Sequence, residues 1–517
     1  MISSCKNIVI ACLCLLFAMR SALADDRPNI LFAISDDQSY PFASAYGGKS
    51  IFTPAFDRVA REGVLFTNAI TASPGCSPSR ASILTGRYTW QNEHAGTHAS
   101  KFSSQFETYP RLLQKAGYHV GYTGKGWGPG NFKDGGFKEN PAGPSYSVSS
   151  KQTPEGIRNT DYAASFSKFF SEREDDQPFC FWYGSSEPHR SFGEGVGLAH
   201  GGQLADVQVP KFLPDTPEVR SDLLDYEFEI EWFDTHLGRI LSELEAAGEL
   251  DNTIVVVTSD NGMAFPRAKA NCYEFGIHMP LAIRWGSKVK GGRTVHDMVS
   301  HTDFMPTYLE ACGIDHPGEF PMAGRSLLPI LLSDEEGLVD PRRDAAYSAR
   351  ERHSSSRWNN LAYPQRCIRT QQYLYIRNFR PERWPAGTPR KYGSSNYPQE
   401  GDSELGPMHG GYHDIDACPT LTLLTEGAED PEIRKFLKLA VDHRPAEELF
   451  DIASDPDCIN NLATSEDHAA IKKKLSEQLE EFLRKTGDPR ILDGGDIFES
   501  YKRYSRVRKF PKPDWAE

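Results

Sequence analysis

Ser73-Pro-Gly-Cys-Ser-Pro-Ser-Arg-Ala-Ser-Ile-Leu-Thr-Gly-Arg-Tyr88, with Cys76-Ser77-Pro78-Ser79-Arg80 at its centre, is the stretch from which this chain is best read. Proline has a fixed φ and no N–H to leave unpaired, so Pro78 suits the first position of a helix, and the small and apolar residues Ala81 to Leu84 propagate it. Free backbone N–H groups at that helix start then face the side chain of residue 76. Such a start attracts a tetrahedral oxyanion. Arg80, one turn on, adds a permanent charge able to grip the anion through two N–H bonds.

Around this stretch, apolar strand candidates alternate with helical segments over the first two-thirds of the chain, which predicts an α/β fold with a mostly parallel sheet. Polar residues follow the strands at four places. Asn29 to Ile34 leads to Asp36-Asp37, Tyr118 to Thr123 to Lys125, Phe179 to Tyr183 to Glu187-Pro-His189-Arg190, and Thr253 to Thr258 to Ser259-Asp-Asn-Gly262. Ligands of open α/β sheets sit beyond the carboxyl ends of the strands, so the four segments are expected to converge on one crevice. Asp36, Asp37, Asp260 and Asn261 are hard oxygen donors, suited to Ca²⁺ or Mg²⁺ rather than to a soft metal.

Thr53 to Glu62 reads as a capped helix, and Asp215 to Ala247 as one or two amphipathic helices. Gly/Pro/Ser-rich stretches from Gly126 to Gly156 and from Pro381 to Gly411 read as loops. Past the second, a short strand at Glu448 to Asp451 and a charged surface helix from Ala469 to Lys485 suggest a smaller α+β domain over residues 371–517, after a main domain over 25–370.

Residues 1–24 have the pattern of a secretory signal, with Lys6, an apolar run from Ile8 to Met19, and Ala22-Leu-Ala24 before Asp25. The run is short for a bilayer span, so an exported chain, periplasmic or secreted, is expected. Its removal takes away Lys6 and Arg20 and no acid, moving the formal charge from −14 to −16. So acidic a chain argues against general nucleic-acid binding. Of ten cysteines, seven follow the signal. With Cys76 reserved for chemistry, the even remainder permits disulfides, though spacing does not assign them. No Cys-x-x-Cys or His-rich cluster suggests zinc. Oligomeric state, a homodimer included, is left open.

Taken together, these residues identify the chain as similar to the type I, formylglycine-dependent sulfatases of the alkaline-phosphatase superfamily. The similarity runs over nearly the whole mature chain and is closest to the heparan N-sulfatase (sulfamidase) branch. It rests on Cys76-Ser-Pro-Ser-Arg-Ala-Ser-Ile-Leu-Thr-Gly86, Glu187-Pro-His-Arg190, Val209 to Pro217, Thr258-Ser-Asp-Asn-Gly-Met-Ala-Phe-Pro266, Gly324 to Pro329 and Tyr363-Pro-Gln-Arg366. The resemblance implies an alkaline-phosphatase-like sheet flanked by helices. It also implies that a formylglycine-generating enzyme oxidises Cys76 to Cα-formylglycine, beside a Ca²⁺ held by Asp36, Asp37, Asp260 and Asn261, with Mg²⁺ as the alternative. By the same resemblance Arg80, Lys125 and Lys269 hold the sulfate, and His189 protonates the leaving nitrogen or oxygen.

The chain departs from the family at one point. Most of these sulfatases have histidine two residues after the catalytic lysine, whereas here Gly124-Lys125-Gly126-Trp127 places an indole, which cannot accept a proton. His94 and His98 are candidates to assist instead. Trp127 itself is expected at the crevice rim, its ring packed on a sugar. The stretch from Arg352 to Arg380 holds six arginines and no acid. It reads either as a positive wall for a polyanionic sugar, with Arg352 and His353 as substrate contacts, or as an edge strand pairing with acids elsewhere.

The expected activity is release of sulfate from a saccharide, N-sulfoglucosamine units first. O-sulfated polysaccharides of ulvan or carrageenan type are the alternative substrates, and a catalytically silent, sulfated-glycan-binding protein is the alternative function. A phosphohydrolase of the same superfamily is disfavoured, since those enzymes place Thr or Ser at the nucleophile position and bind two zinc ions.

Overall fold

The computed structural model describes residues 27–393 and 403–516. The signal segment lies outside the described residues. The main sheet contains β1 (Asn29–Ser35), β2 (Val64–Ile70), β3 (His119–Gly124), β4 (Phe179–Gly184), β5 (Thr253–Ser259), β6 (His278–Arg284), β7 (Arg293–Val295) and β8 (Val299–Ser300). Its order is β3-β4-β1-β5-β6-β2-β7, with β8 also on β2. β3, β4, β1 and β5 are adjacent and parallel. β6 runs antiparallel to both β5 and β2, so β2 regains the direction of β5.

Alternation along β1 explains why the sheet is covered on both faces. Ile30, Phe32 and Ile34 enter one apolar cluster with Trp182, Val256 and Phe304. Leu31 and Ala33 enter the other with Phe181, Val257 and Phe233. A strand buried on both sides reads as a continuous apolar run, which is what Asn29-Ile-Leu-Phe-Ala-Ile34 presents. The long helix Pro217–Ala246 lies on the second face, capped by the Thr216 side chain and started by Pro217.

A second, antiparallel sheet is ordered β12-β11-β10-β9, from β9 (Ala345–Arg350), β10 (Gln365–Thr370), β11 (Tyr373–Asn378) and β12 (Glu447–Asp451). The helix Ala469–Lys485 packs on it through Leu475, Leu479 and Leu483. The boundary expected at residue 370 therefore falls between β10 and β11, which are hydrogen-bonded neighbours. Strand pairing in this part begins upstream of the Gly/Pro-rich loop that suggested the boundary.

Two further expectations are corrected by the packing. All seven described cysteines are buried and outside any disulfide, so the even remainder is not spent on disulfides. Nor do the arginines between 352 and 380 form a positive wall. Arg357 meets Asp414, Arg366 meets Glu351 and Asp488, and Arg369 meets Glu274. Arg377 and Arg380 reach Glu480 and Asp496. The acids missing from the local sequence come from other segments of the chain. Among the described residues no helix is long and apolar enough to cross a membrane.

Candidate active site

The parallel strands deliver their carboxyl ends to one edge, and backbone hydrogen bonds stitch the following loops together. The N–H of Asp36 donates to the Glu187 carbonyl at 3.0 Å, that of Lys125 to Gly184 at 2.7 Å and that of Asp260 to Ser35 at 3.3 Å. Gly124 makes the Lys125 turn possible: its φ is 68°, and a Cβ there would lie 2.0 Å from the Gly184 carbonyl oxygen.

Cys76 starts the helix Cys76–Thr85, all of whose residues are buried. The helix begins two residues earlier than Pro78 alone suggests, with Pro78 inside its first turn, where an N–H has no helical partner to lose. The helix is fixed to the end of β5 by Thr71 Oγ1 and Ser79 Oγ, which donate to the Asp260 carbonyl at 2.7 and 2.6 Å. Gly75 lies against His353: a methyl group on it would meet His353 Nδ1 at 3.1 Å.

Around Cys76 the carboxylates converge. Its Sγ lies 3.9 Å from Asp37 Oδ1, and ligand atoms of Asp36, Cys76 and Asp260 fall within 4.8 Å of one another. Asn261 Nδ2 donates to Asp37 Oδ1 at 2.7 Å. Asp37 takes the left-handed region, φ 76°, a strained conformation of the kind found at functional sites. It is held there by its N–H on Asp260 Oδ1 and by the Tyr226 hydroxyl on its carbonyl.

A hard divalent cation fits this donor set. Asp36 Oδ1 and Asn261 Oδ1 are buried acceptors without a hydrogen-bond partner among the described residues, and acceptors left in that state call for a cation or water. Ligands of this type are those Ca²⁺ and Mg²⁺ take. Burial tends to raise Asp36, but Lys125, His189, Arg80 and Lys269 together hold it well below the usual carboxylate range. Burial pushes the Cys76 thiol up, so the unmodified side chain stays a neutral, poorly nucleophilic thiol.

Three cations balance the three carboxylates. Lys125 Nζ donates to Asp36 Oδ2 at 2.5 Å. Lys269 Nζ bridges Asp37 Oδ2 at 2.5 Å and Asp416 Oδ2 at 3.0 Å. Burial works against both ammoniums, but Asp36 and Asp37 outweigh it and raise them. Arg80, with no exposed surface, is placed behind the site rather than on its face. Its Nε donates to Asp260 Oδ2 at 2.7 Å and its Nη1 to the Lys125 carbonyl at 2.7 Å, so it positions a carboxylate and the lysine loop. His189 Nδ1 donates to the Arg190 carbonyl at 2.7 Å, which leaves Nε2, 4.0 Å from Asp37 Oδ2, toward the cleft. Arg190 grips Asp222 with two hydrogen bonds and serves as a brace.

The cleft above these groups measures about 720 Å³, and His98, His189, Lys269 and His353 line it. The rings of His98 and His353 lie 4.5 Å apart. Burial lowers both, His353 to about 3, so they face the cleft as neutral imidazoles. His94 is turned away against Tyr501, ring centroids 4.0 Å apart.

Trp127 is not at the rim. It is 3% exposed, its indole N–H donates to the Ser77 carbonyl at 3.0 Å, and its ring packs on Phe102 beneath the Cys76 helix. Pro129 from the same loop reaches the cleft instead. Arg352 is likewise withdrawn, 2% exposed, with Nη1 on the Tyr501 carbonyl. Trp127→Ala is therefore expected to cost about 3–5 kcal/mol of stability, as large-to-small core changes do, and to lower kcat on all substrates alike. Denaturant melts and paired kinetics check this. Unchanged stability with a KM rise confined to oligosaccharides would return Trp127 to the rim.

Sequence reasoning missed Asp416 and the tail residues Arg503, Arg506 and Arg508, which also line the cleft. The signal was there: Lys502-Arg-Tyr-Ser-Arg-Val-Arg-Lys509 carries no acid.

A mostly parallel α/β sheet whose strand ends gather carboxylates and lysines around a helix start defines a hydrolase class acting on tetrahedral anions. The chain belongs to the sulfatase family, whose profile matches residues 28–314; a second profile, N-sulphoglucosamine sulphohydrolase, C-terminal, matches residues 267–386. It is 28% identical to the human N-sulphoglucosamine sulphohydrolase over 95% of this chain and 96% of that protein. It is also 28% identical to an ulvan-active sulfatase of Formosa agariphila, over 91% of this chain and 82% of that one. A solved structure of a protein in complex with its substrate D-glucosamine-2-N,6-O-disulfate shares the fold, with TM-score 0.59 and 23% identity over 89% of this chain and 98% of that one. The protein is thus a sulfatase, a hydrolase that releases sulfate.

Proposed function

We propose that the protein is an exported sulfohydrolase that removes sulfate from saccharides, N-sulfoglucosamine units first, through residue 76 as Cα-formylglycine. The observation that carries this reading is the meeting of Cys76 at its helix start with Asp36, Asp37, Asp260, Lys125, Lys269 and His189 at one cleft floor. The choice of an N-sulfated sugar is supported by the C-terminal profile and by the human relative matched along nearly its whole length. The ulvan-active relative supports the alternative of an O-sulfated, uronate-rich polysaccharide.

When present, the hydrated aldehyde supplies a hydroxyl nucleophile for sulfur, and a Ca²⁺ or Mg²⁺ held by Asp36, Asp37, Asp260 and Asn261 supplies Lewis-acid stabilisation. The chain's own groups do the rest. Lys125 and Lys269, fixed before substrate arrives, hold the sulfate oxygens and offset charge gathered during transfer without reorganising. Asp260, locked by Arg80 and by two backbone N–H groups, keeps its orientation as a proton acceptor. His189, its Nδ1 tied to a carbonyl, presents Nε2 to the departing atom and gives it a proton.

His189→Ala is expected to lower kcat about 10²- to 10⁴-fold on natural substrates, the size of a general-acid contribution. The loss should be far smaller with nitrophenyl sulfate, whose leaving group departs unprotonated. Equal losses on both would make His189 a positioning residue. A panel of defined N- and O-sulfated oligosaccharides, assayed for sulfate release, tests the substrate: release confined to O-sulfated members would overturn the N-sulfate choice.

A further inference from the structure

We propose that the tryptophan-lined cavity between the β9–β10 loop and the C-terminal tail is a second saccharide site. It holds the polymer by the carbon faces of its sugar rings, with or without sulfate on them, next to the cleft where sulfate is removed. The choice of a saccharide as occupant rests on the sulfohydrolase reading above. The cavity's volume of about 310 Å³ is at the lower end of the roughly 300–1,000 Å³ of small-molecule sites. Trp358, Trp384, Trp515 and His443 line it, and none of its lining residues lines the cleft over Cys76.

The cavity is built where the protein gathers its open indoles. Of the eight tryptophans, Trp90, Trp127, Trp182 and Trp285 are buried. Three of the others meet here, Trp358 and Trp384 half-buried and Trp515 44% exposed. A large ring left open to water forgoes the stabilisation of burial, and three around one concavity suit a ligand with a broad apolar face and polar edges. A sugar ring is such a ligand: its carbon–hydrogen face packs on an indole, and its hydroxyls meet the indole N–H and the polar rim.

The walls are fixed in advance. Arg357 Nε donates to the Trp384 carbonyl at 2.6 Å, Arg383 Nη1 to the Ala362 carbonyl at 2.8 Å and the Thr388 N–H to the Ser356 carbonyl at 2.8 Å. The Trp384 and His443 rings pack with centroids 4.0 Å apart. The charges present do not make a basic patch. Arg357 and Arg383 are taken up by Asp414 and Glu499 at 2.6 and 2.7 Å, and the exposed Lys512 shares the rim with Glu382 and Asp514. The rings, rather than a charge, are what the cavity offers a ligand.

Two chain segments join the cavity to the cleft. Ser354 lines the cleft and Arg357 the cavity, and Arg508 lines the cleft and Pro511 the cavity. Each pair is three residues apart, a span of at most about 11 Å. One saccharide chain is long enough to occupy both.

The probes are two sulfate-free oligosaccharides, a heparosan octasaccharide and a desulfated ulvan octasaccharide, titrated calorimetrically into the parent protein and into Trp358→Ala and Trp515→Ala. At least one should bind the parent, and each alanine variant should weaken it about 10-fold or more, the size of loss when an anchoring tryptophan is truncated. Trp515→Tyr, which keeps a ring, should retain most of the affinity. Affinity should not fall as salt rises from about 0.05 to 0.5 M, a range that screens charge-held complexes. In turnover, both alanine variants should raise KM for the sulfated polysaccharide at unchanged kcat and leave nitrophenyl sulfate, too small to extend beyond the cleft, unaffected. Thermal melts check that the variants are folded. No binding of either oligosaccharide, binding or a polysaccharide KM that neither alanine variant moves, or affinity lost with salt would overturn the site. So would a dimer that dissociates in Trp515→Ala while saccharide binding is unchanged, since the cavity would then be a contact between copies. A formylglycine-bearing preparation that releases no sulfate from any saccharide, with tryptophan-dependent binding intact, would sink the sulfohydrolase reading and leave the site standing.

Discussion

Cys76→Ala is expected to release no measurable sulfate, a loss of at least about 10⁴-fold, while the protein stays folded. Removing a covalent nucleophile leaves only binding and charge stabilisation, and residues acting as one unit do not substitute for each other. The fold should survive because the Cys76 side chain braces nothing: the helix is held by Ser79 and Thr71 on the Asp260 carbonyl. A buried cysteine-to-alanine change costs on the order of 1 kcal/mol. The readouts are sulfate release, a thermal melt and mass spectrometry of residue 76 in the parent protein. Activity persisting in the variant, or unmodified cysteine in a fully active parent, would refute the nucleophile assignment.

Exhaustive chelation should reduce turnover by about two orders of magnitude or more, and Ca²⁺ or Mg²⁺ should restore it where Zn²⁺ does not. Lys125 and Lys269 lie 2.5 Å from Asp36 and Asp37, so the carboxylates expected to hold the cation also set the position of the two lysines. The same ion, binding the native state alone, should stabilise by about 2.7 kcal/mol at a hundred times its Kd. That shift should appear in the Cys76→Ala protein too, which separates cation binding from turnover. Full activity after chelation, or stoichiometric zinc in an active sample, would contradict the ligand assignment.

What could be read directly from the sequence was whatever depends on near neighbours in the chain. The run Asn29 to Ile34 announces a strand buried on both faces, and acids immediately after it belong at its carboxyl end whatever the rest does. Four such strand ends, adjacent and parallel, had to meet at one edge, so Asp36, Asp37, Lys125, His189, Asp260 and Asn261 were legible as a set. The helix start at Cys76 was legible for the same local reason. Which way a side chain faces, and which distant segment approaches it, is decided by packing. Trp127 lies two residues past Lys125, yet it turns under the Cys76 helix because its N–H finds the Ser77 carbonyl there. Arg352 and its neighbours looked like an uncompensated charge run, until Asp414, Glu351, Asp488 and Glu274 arrived from elsewhere. The basic tail lies some four hundred residues from the loop it seals, as the Ser100–Lys502 hydrogen bond shows. No local pattern encodes so distant a contact: burial, complementary charge and hydrogen-bond satisfaction, summed over the folded molecule, bring it about.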